Sequence, residues 1–574
     1  MQGFGDRMQP DSDSFEACFD VIVVGSGAAG APLAANLVRG GLHVALIEAG
    51  PDAESLVNRV PALAFMASIN PATNWNFETA PIPALNGRRQ RWSQGRMVGG
   101  SSGINGMLWM RGSRSDYALW EGADCPGWGW EEALRDYREI EGSDRADAFH
   151  GQHGPLQIRR AALDLGLEAP FLEAMAEAGL PVVDDINADE AEGFGSFDVN
   201  IAGGRRCGVR RAWLQPLKDH PRLKLYPKAT ALHLVTREGR VTGLRLRQCG
   251  RELELRARHQ VVLSCGAIMT PALLMRSGYG PGQELQRAGI AVRRDCPGIG
   301  ANLHNHPAVA LRYHLASPLS AARYLRPWPA LVAALRYAIG RSGPLGESYV
   351  AMGGLFRSRG GDGNSDMMAV VMPALVKRAE VGARLPEIFE WRHGFALSVS
   401  LARQRSRGKV SLDPRNPFGP PVIDPGYFDA PEDMEAMVAG VLRLRCAIAG
   451  SAVLGLSTRE AGPLADAEDA SALEEAIRQS CGTFYHPGGT CRMGGHEAPV
   501  APDLRLRGVP GLRIADASVV PLPMGATMQA PSMLIGHRAA QLILRDIARP
   551  SSGRCAETAF QGQDQEETAN AGPQ

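Results

Sequence analysis

Apolar residues fall near the start of the chain in two short blocks around a helical stretch. DVIVV, Asp20 to Val24, has the length of a buried strand rather than a helix. The pattern predicts a helix over roughly Ala28 to Gly40 and a second strand over His43 to Ile47. At the other end, Ile535, Ala539, Leu542 and Ile543 recur at i, i+4, i+7 and i+8, the buried stripe of a helix from about Pro531 to Ile547. Strand-like runs appear at LKLYPKATALHLV, Met367 to Met372 and Ala396 to Leu401. RYLRPWPALVAALRYAIGRSGP reads as an amphipathic helix broken by prolines, and another helix starts near Pro431 with Glu432 and Asp433 in its first turn. Pro51 to Arg91 carries few periodic signals and reads as a long excursion anchored by Trp75 and Phe77.

Length and charge narrow the picture. At 574 residues the chain exceeds what one core supports, so two or more domains are expected. Lys+Arg and Asp+Glu both number 61, and a zero net charge points neither to nucleic acid nor to an anionic membrane. No apolar run reaches the length of a membrane span, and MQGFGDRMQPDSDSFEACFD lacks a signal-peptide core. Ten scattered cysteines without C-x-x-C pairs read as reduced thiols, which places the expected location in the cytoplasm. The polar tail, 549–574, is expected to be disordered.

Glycine spacing supplies the first chemistry. Gly25, Gly27 and Gly30 follow the first strand at G-x-G-x-x-G spacing. They allow a tight turn, a close backbone approach to a pyrophosphate and close helix–strand packing. The helix N-terminus then faces the phosphates, and Glu48, at the tip of the second strand, suits ribose hydroxyls. A second glycine cluster, GGSSGING from Gly99 to Gly106, is flanked by Met97, Val98, Met107, Leu108, Trp109 and Met110. A flexible linker is the plain reading, but the apolar flanks favour a buried loop of small residues that covers something flat or makes backbone hydrogen bonds to a ligand.

With GSGAAG and Glu48, three further blocks carry a resemblance: GRMVGGSSGINGMLWMRG, LSCGAIMTPALLMRSGYGP, and YHPGGTCRMG followed by GLRIADASVVP. In this order they resemble the glucose–methanol–choline family of flavin oxidoreductases, over about Asp20 to Ile547, nearest to choline-dehydrogenase-like bacterial alcohol oxidoreductases. The resemblance implies an α/β fold: a Rossmann-like FAD-binding domain from 18–158, 212–305 and 484–548, and an α+β substrate domain on an antiparallel sheet from 159–211 and 306–483. It implies FAD as cofactor. Gly25, Gly27, Ala28, Ala29, Gly30, Glu48 and Ala49 would hold the ADP half, and Ala231 would meet the adenine through its backbone. Arg96, Val98, Gly99, Gly100, Ser101, Ser102, Asn105, Gly106 and Met107 would line the pyrophosphate and isoalloxazine. Gly266, Asp516 and Ala517 complete the phosphate and ribitol side, and Met528 and Gln529 approach the pyrimidine edge. Some relatives bind flavin covalently through a histidine where this chain has Ile104, so the FAD is expected to be non-covalent.

Alcohol oxidation needs a base for the hydroxyl proton and flavin N5 for the hydride. His486, in YHPGGT, matches the family's catalytic histidine motif. Its usual His or Asn partner is replaced by Thr527, which cannot act as a base at neutral pH. His304 and His306, in NLHNHP, read as packing or supporting residues, and His537 as structural. No metal is expected: His150 and His153 lie in a glycine turn with no third ligand in sight. The resulting expectation is oxidation of a small-molecule substrate, a primary alcohol of medium size or aromatic rather than a sugar, with oxygen or another electron acceptor taking the electrons. A flavin-bearing lyase or decarboxylase, motivated by Thr527, and a non-catalytic flavoprotein are the alternatives.

Overall fold

The N-terminal apolar run forms β1 (Ala17–Val24), whose last four residues are buried. Parallel neighbours on both sides and helices on its faces explain why the run is continuous rather than alternating. A helix, α1 (Gly30–Arg39), crosses over to β2 (Val44–Ile47), which pairs in parallel with Val21–Val24. The computed structural model describes residues 17–548 except 164, 190–191, 362, 378–382, 384, 453 and 455–457. The expected tail and the extreme N-terminus therefore lie outside the described residues.

After a long excursion the chain returns as β3 (Leu223–Tyr226), parallel to β2. Three antiparallel strands follow: β4 (Ala229–Arg237), β5 (Arg240–Gln248) and β6 (Arg251–Leu263). The length of β6 lets Arg251–Arg256 pair with β5 while Leu255–Leu263 pairs in parallel with β1. The sheet order is β3-β2-β1-β6-β5-β4, and α2 (Gly266–Arg276) leaves the carboxyl end of β6.

A second, antiparallel sheet begins at β7 (Pro307–Leu315). Next comes α3 (Pro327–Gly340), the proline-bounded helix read from the sequence. Then follow β8 (Met352–Phe356), β9 (Met367–Met372) and β10 (Gly394–Leu401), with α4 (Pro431–Gly450) packed on the sheet. β11 (Thr458–Ala461) and the short β12 (Gly482–Thr483) both pair with β7, giving the order β8-β9-β10-β7-β11 with β12 beside β7. Finally β13 (Leu512–Ile514) rejoins the first sheet parallel to β6, and α5 (Gln529–Ala548) packs against α1. The α5 stripe is as its spacing indicates: Ile535, Ala539 and Ile543 are fully buried and Leu542 is partly buried. Each sheet has its own apolar core. Among the described residues no helix is long and apolar enough to cross a membrane.

Candidate functional site

A cavity of about 790 Å³ lies between the two sheets, at the carboxyl ends of β1, β2 and β6. Backbone sterics shape its floor. Gly25 has φ +101°, and a Cβ there would fall 2.2 Å from the Ser264 carbonyl oxygen. Gly100 has φ +52°, and its Cβ would fall 2.7 Å from the Gly27 Cα. The two glycine-rich segments thus touch, and only hydrogen side chains permit it.

At the tip of β2, Glu48 accepts hydrogen bonds from the Ser26 hydroxyl (2.7 Å), the Ser26 N–H (3.2 Å) and the Gly50 N–H (2.8 Å). Burial pushes its carboxyl above the usual range, and these donors with Arg96 pull the other way. On the opposite wall Asp516 accepts from the Thr270 hydroxyl (2.6 Å), the Gly266 N–H (2.9 Å) and the Ser518 N–H (2.8 Å). The small-residue loop is held by its own polar groups. Ser102 donates to the Gly99 carbonyl (2.7 Å) and accepts from the Val209 N–H (3.1 Å). Asn105 accepts from Arg206 (2.6 Å) and from the Met107 N–H (3.1 Å), and donates to Gln529.

Gly25, Gly27, Ala28, Ala29, Glu48, Ala49, Gly100, Ser101, Ser102, Asn105, Gly106, Met107, Ala231, Gly266, Asp516, Ala517, Met528 and Gln529 all line the cavity, as do His486 and Thr527. Four residues expected to touch the cofactor do not line it. Gly30 packs under the turn, where a Cβ would fall 1.9 Å from the Gly25 carbonyl oxygen. Arg96 is exposed, and its guanidinium sits over the Trp75 ring, 5.1 Å from the centroid. Val98 is buried in the core with its N–H on the Pro51 carbonyl, and the Gly99 N–H is spent on Ser26.

His486 enters from the far side, three residues after β12. Its N–H donates to Asn305 Oδ1 (2.8 Å), and the Asn305 amide donates to the Thr483 hydroxyl (2.8 Å). The His486 Nδ1 lies 3.3 Å from His306 Nδ1, with the two rings edge to face. Burial, reinforced by His306, holds the His486 imidazole well below the ordinary histidine pKa, and burial takes His306 down to about 4. Both rings are therefore neutral near pH 7. Thr527 has a buried hydroxyl with no partner among the described residues.

Several residues here carried no sequence signal. Tyr324, Tyr349, Met372 and Phe389 close the cavity on an apolar side, and among the described residues Glu48, Asp516 and Arg276 are its only acidic, Lys or Arg lining residues. Arg206, buried, donates to the Asn58 carbonyl (2.9 Å), the Ser102 carbonyl (3.2 Å) and Asn105. Burial lowers its pKa to about 9. Away from the cavity, His150 has two acids against it, which the sequence did not show: Glu141 on Nδ1 and Asp185 on Nε2, both at 3.0 Å. His537 joins α5 to Asn36 (3.1 Å) and Glu139 (3.0 Å), far from the chemistry.

The residues fit FAD: side-chain-free backbone at the turn, a buried carboxylate at the β2 tip and a flat small-residue wall. At the covalent-attachment position, Ile104 offers only hydrocarbon, buried beside Met97 and Ala67. The GMC oxidoreductase family profiles match residues 19–308 and 404–536. The chain is 33% identical over 531 residues to an oxygen-dependent choline dehydrogenase of Rhizobium johnstonii, covering 92% of this chain and 95% of that one. It is 32% identical over 540 residues to an alcohol dehydrogenase [acceptor] of Pseudomonas putida, covering 92% and 96%. Among solved structures, pyridoxine 4-oxidase from Mesorbium loti superposes with a TM-score of 0.79 at 28% identity, over 91% of this chain and 98% of that one. Formate oxidase of Aspergillus oryzae shares the fold at a TM-score of 0.85 and 24% identity, over 93% and 99%. The chain belongs to the GMC oxidoreductase family and is an FAD-dependent alcohol oxidoreductase.

Proposed function

We propose that the protein oxidises an apolar primary alcohol to the aldehyde, with His486 as the base. The observation that carries this reading is the His486 imidazole on the cavity wall, fixed through Asn305 and His306, in a burial that favours its neutral form. With Nδ1–H donating to His306, Nε2 keeps its lone pair for the substrate hydroxyl. Once protonated, the ring places positive charge beside the substrate oxygen. FAD, when bound, supplies the hydride acceptor, held by the glycine turn, Glu48, Asp516 and the 99–107 loop; oxygen or another acceptor removes the electrons. Thr527 contributes a hydroxyl donor where relatives carry a base or amide. Tyr324, Tyr349, Met372 and Phe389 suit a hydrocarbon or aryl chain. Among the described residues a quaternary ammonium alcohol finds no free carboxylate there, since Glu48 and Asp516 are committed to their own donors. The nine described cysteines are free thiols, in keeping with a cytoplasmic protein.

Anaerobic mixing with a panel of aliphatic and aromatic alcohols tests the reading. Medium-chain or aryl alcohols should bleach the oxidised flavin band and choline should not; no bleaching by any alcohol would favour the lyase alternative. His486→Ala should keep its FAD and slow bleaching by about 10²–10⁴-fold, the usual worth of a positioned base.

A further inference from the structure

The zero net charge hides a local asymmetry on α3. Trp328 is 72% exposed, Leu331 49%, Leu335 52% and Ile339 88%. Their spacing, i, i+3, i+7 and i+11, puts all four on one helix face, turned to solvent. On the opposite side Ala330 and Ala333 line the cavity, as do Ala321, Tyr324 and Leu325 of the preceding turn. The amphipathic pattern was legible, but its apolar stripe faces outward instead of packing on a core.

The surroundings of this stripe are positive. Residues 316–346 contain Arg323, Arg326, Arg336 and Arg341 and no acid. Arg326, Arg336 and Arg341 are exposed, whereas Arg323 turns inward to the Leu165 carbonyl (3.1 Å); on the other face of α3, Arg205, Arg341, Arg59 and Arg211 act on the Tyr337 hydroxyl. Flanking acids are engaged elsewhere: Glu347 by Arg159 at 2.7 Å, and Asp52 by Arg210 at 2.9 Å. A second copy of the chain meeting this face isologously would oppose arginine to arginine. An anionic lipid surface offers hydrocarbon for the stripe and phosphates for the guanidinium groups. With 14 residues, α3 spans roughly 21 Å, so it lies in the interface rather than crossing it.

We propose that α3 is a peripheral docking helix for an anionic phospholipid bilayer, with Trp328, Leu331, Leu335 and Ile339 immersed and the exposed Arg326, Arg336 and Arg341 on the headgroups. Because the same helix lines the cavity, docking sets the substrate chamber against the lipid, where apolar alcohols partition. That last consequence rests on the function proposed above; the docking itself does not.

The test is co-sedimentation of the FAD-loaded full chain with phosphatidylcholine vesicles, with and without phosphatidylglycerol, at low and high salt. Binding should require phosphatidylglycerol and weaken with salt. Arg336→Glu with Arg341→Glu should weaken it at least roughly 25-fold, since each arginine near such a surface is worth about fivefold. Leu335→Ser with Ile339→Ser should abolish it, while both double variants keep FAD content and flavin spectrum. The proposal is overturned if the wild-type chain stays in the supernatant. It is equally overturned if the variants sediment like wild type, or if the face proves to hold a dimer that vesicles do not compete for. No turnover is measured, so inactivity toward alcohols would leave this result intact.

Discussion

Replacing His306 with leucine isolates what the second imidazole does for the first. In the wild-type chain His306 Nδ1 lies 3.3 Å from His486 Nδ1; in the mechanism proposed above it accepts the His486 N–H and so favours the tautomer whose Nε2 is free. Leucine removes that acceptor and leaves a buried N–H unpaired, at a cost of about 1–3 kcal/mol. If that cost falls on the reactive tautomer, flavin reduction slows by about 5- to 150-fold. Global stability should change little, because the His306 Nε2 is itself buried and without a partner, and hydrocarbon replaces an orphaned nitrogen. The assay is anaerobic stopped-flow bleaching at saturating alcohol, with FAD content and thermal unfolding measured alongside. His306→Gln, whose amide oxygen can accept the same hydrogen bond, should recover much of the rate. A His306→Leu protein that binds FAD normally and bleaches as fast as wild type would refute the orienting role.

Three further outcomes are expected. Gly100→Ala places a Cβ 2.7 Å from the Gly27 Cα at a left-handed backbone position, so FAD affinity should fall by about tenfold or more, read by titration of the apoprotein. Arg206→Met removes the guanidinium bonded to the Ser102 carbonyl and Asn105, and should raise the FAD dissociation constant and shift the flavin absorption bands. For His150, burial alone would lower the pKa, but hydrogen bonds to Asp185 and Glu141 raise it to about 9. The folded value lies above the unfolded one, so this stabilisation is complete below about pH 6.5. It is lost as pH rises through 9, and urea midpoints should fall across that window. Glu141→Gln should flatten that slope and destabilise the fold, since Arg111, fully buried with Glu141 at 3.1 Å, loses its counter-charge. A slope identical to wild type would show that His150 is not its source.

What the chain disclosed before folding was governed by local sterics. Gly25, Gly27, Glu48 and the 99–106 loop announce themselves because turn geometry and backbone approach depend on neighbours in sequence. The strands and α5 were readable because burial on two faces or on one stripe sets a period. Contacts made across long separations were not. His306 and His486 are 180 residues apart, and neither motif says that the rings meet. Arg206 reaches Asn105 across 101 residues. Arg96 followed its motif yet turned outward, because stacking on Trp75 keeps its charge in water. His150 looked isolated because Asp185 arrives from another loop. The outward stripe of α3 is the same problem in reverse: period shows that a helix has two faces, never which one meets solvent.

The carboxamide of Asn305 ties β12, at the end of the second sheet, to the residue proposed as the base, taking one hydrogen bond from the His486 main chain and giving one to Thr483. A single amide thereby sets the address of the base. The walls that choose an alcohol, around Tyr324, Tyr349 and Phe389, stand apart from that address. Descendants of this scaffold could trade one substrate for another by resculpting those walls without re-aiming the proton acceptor.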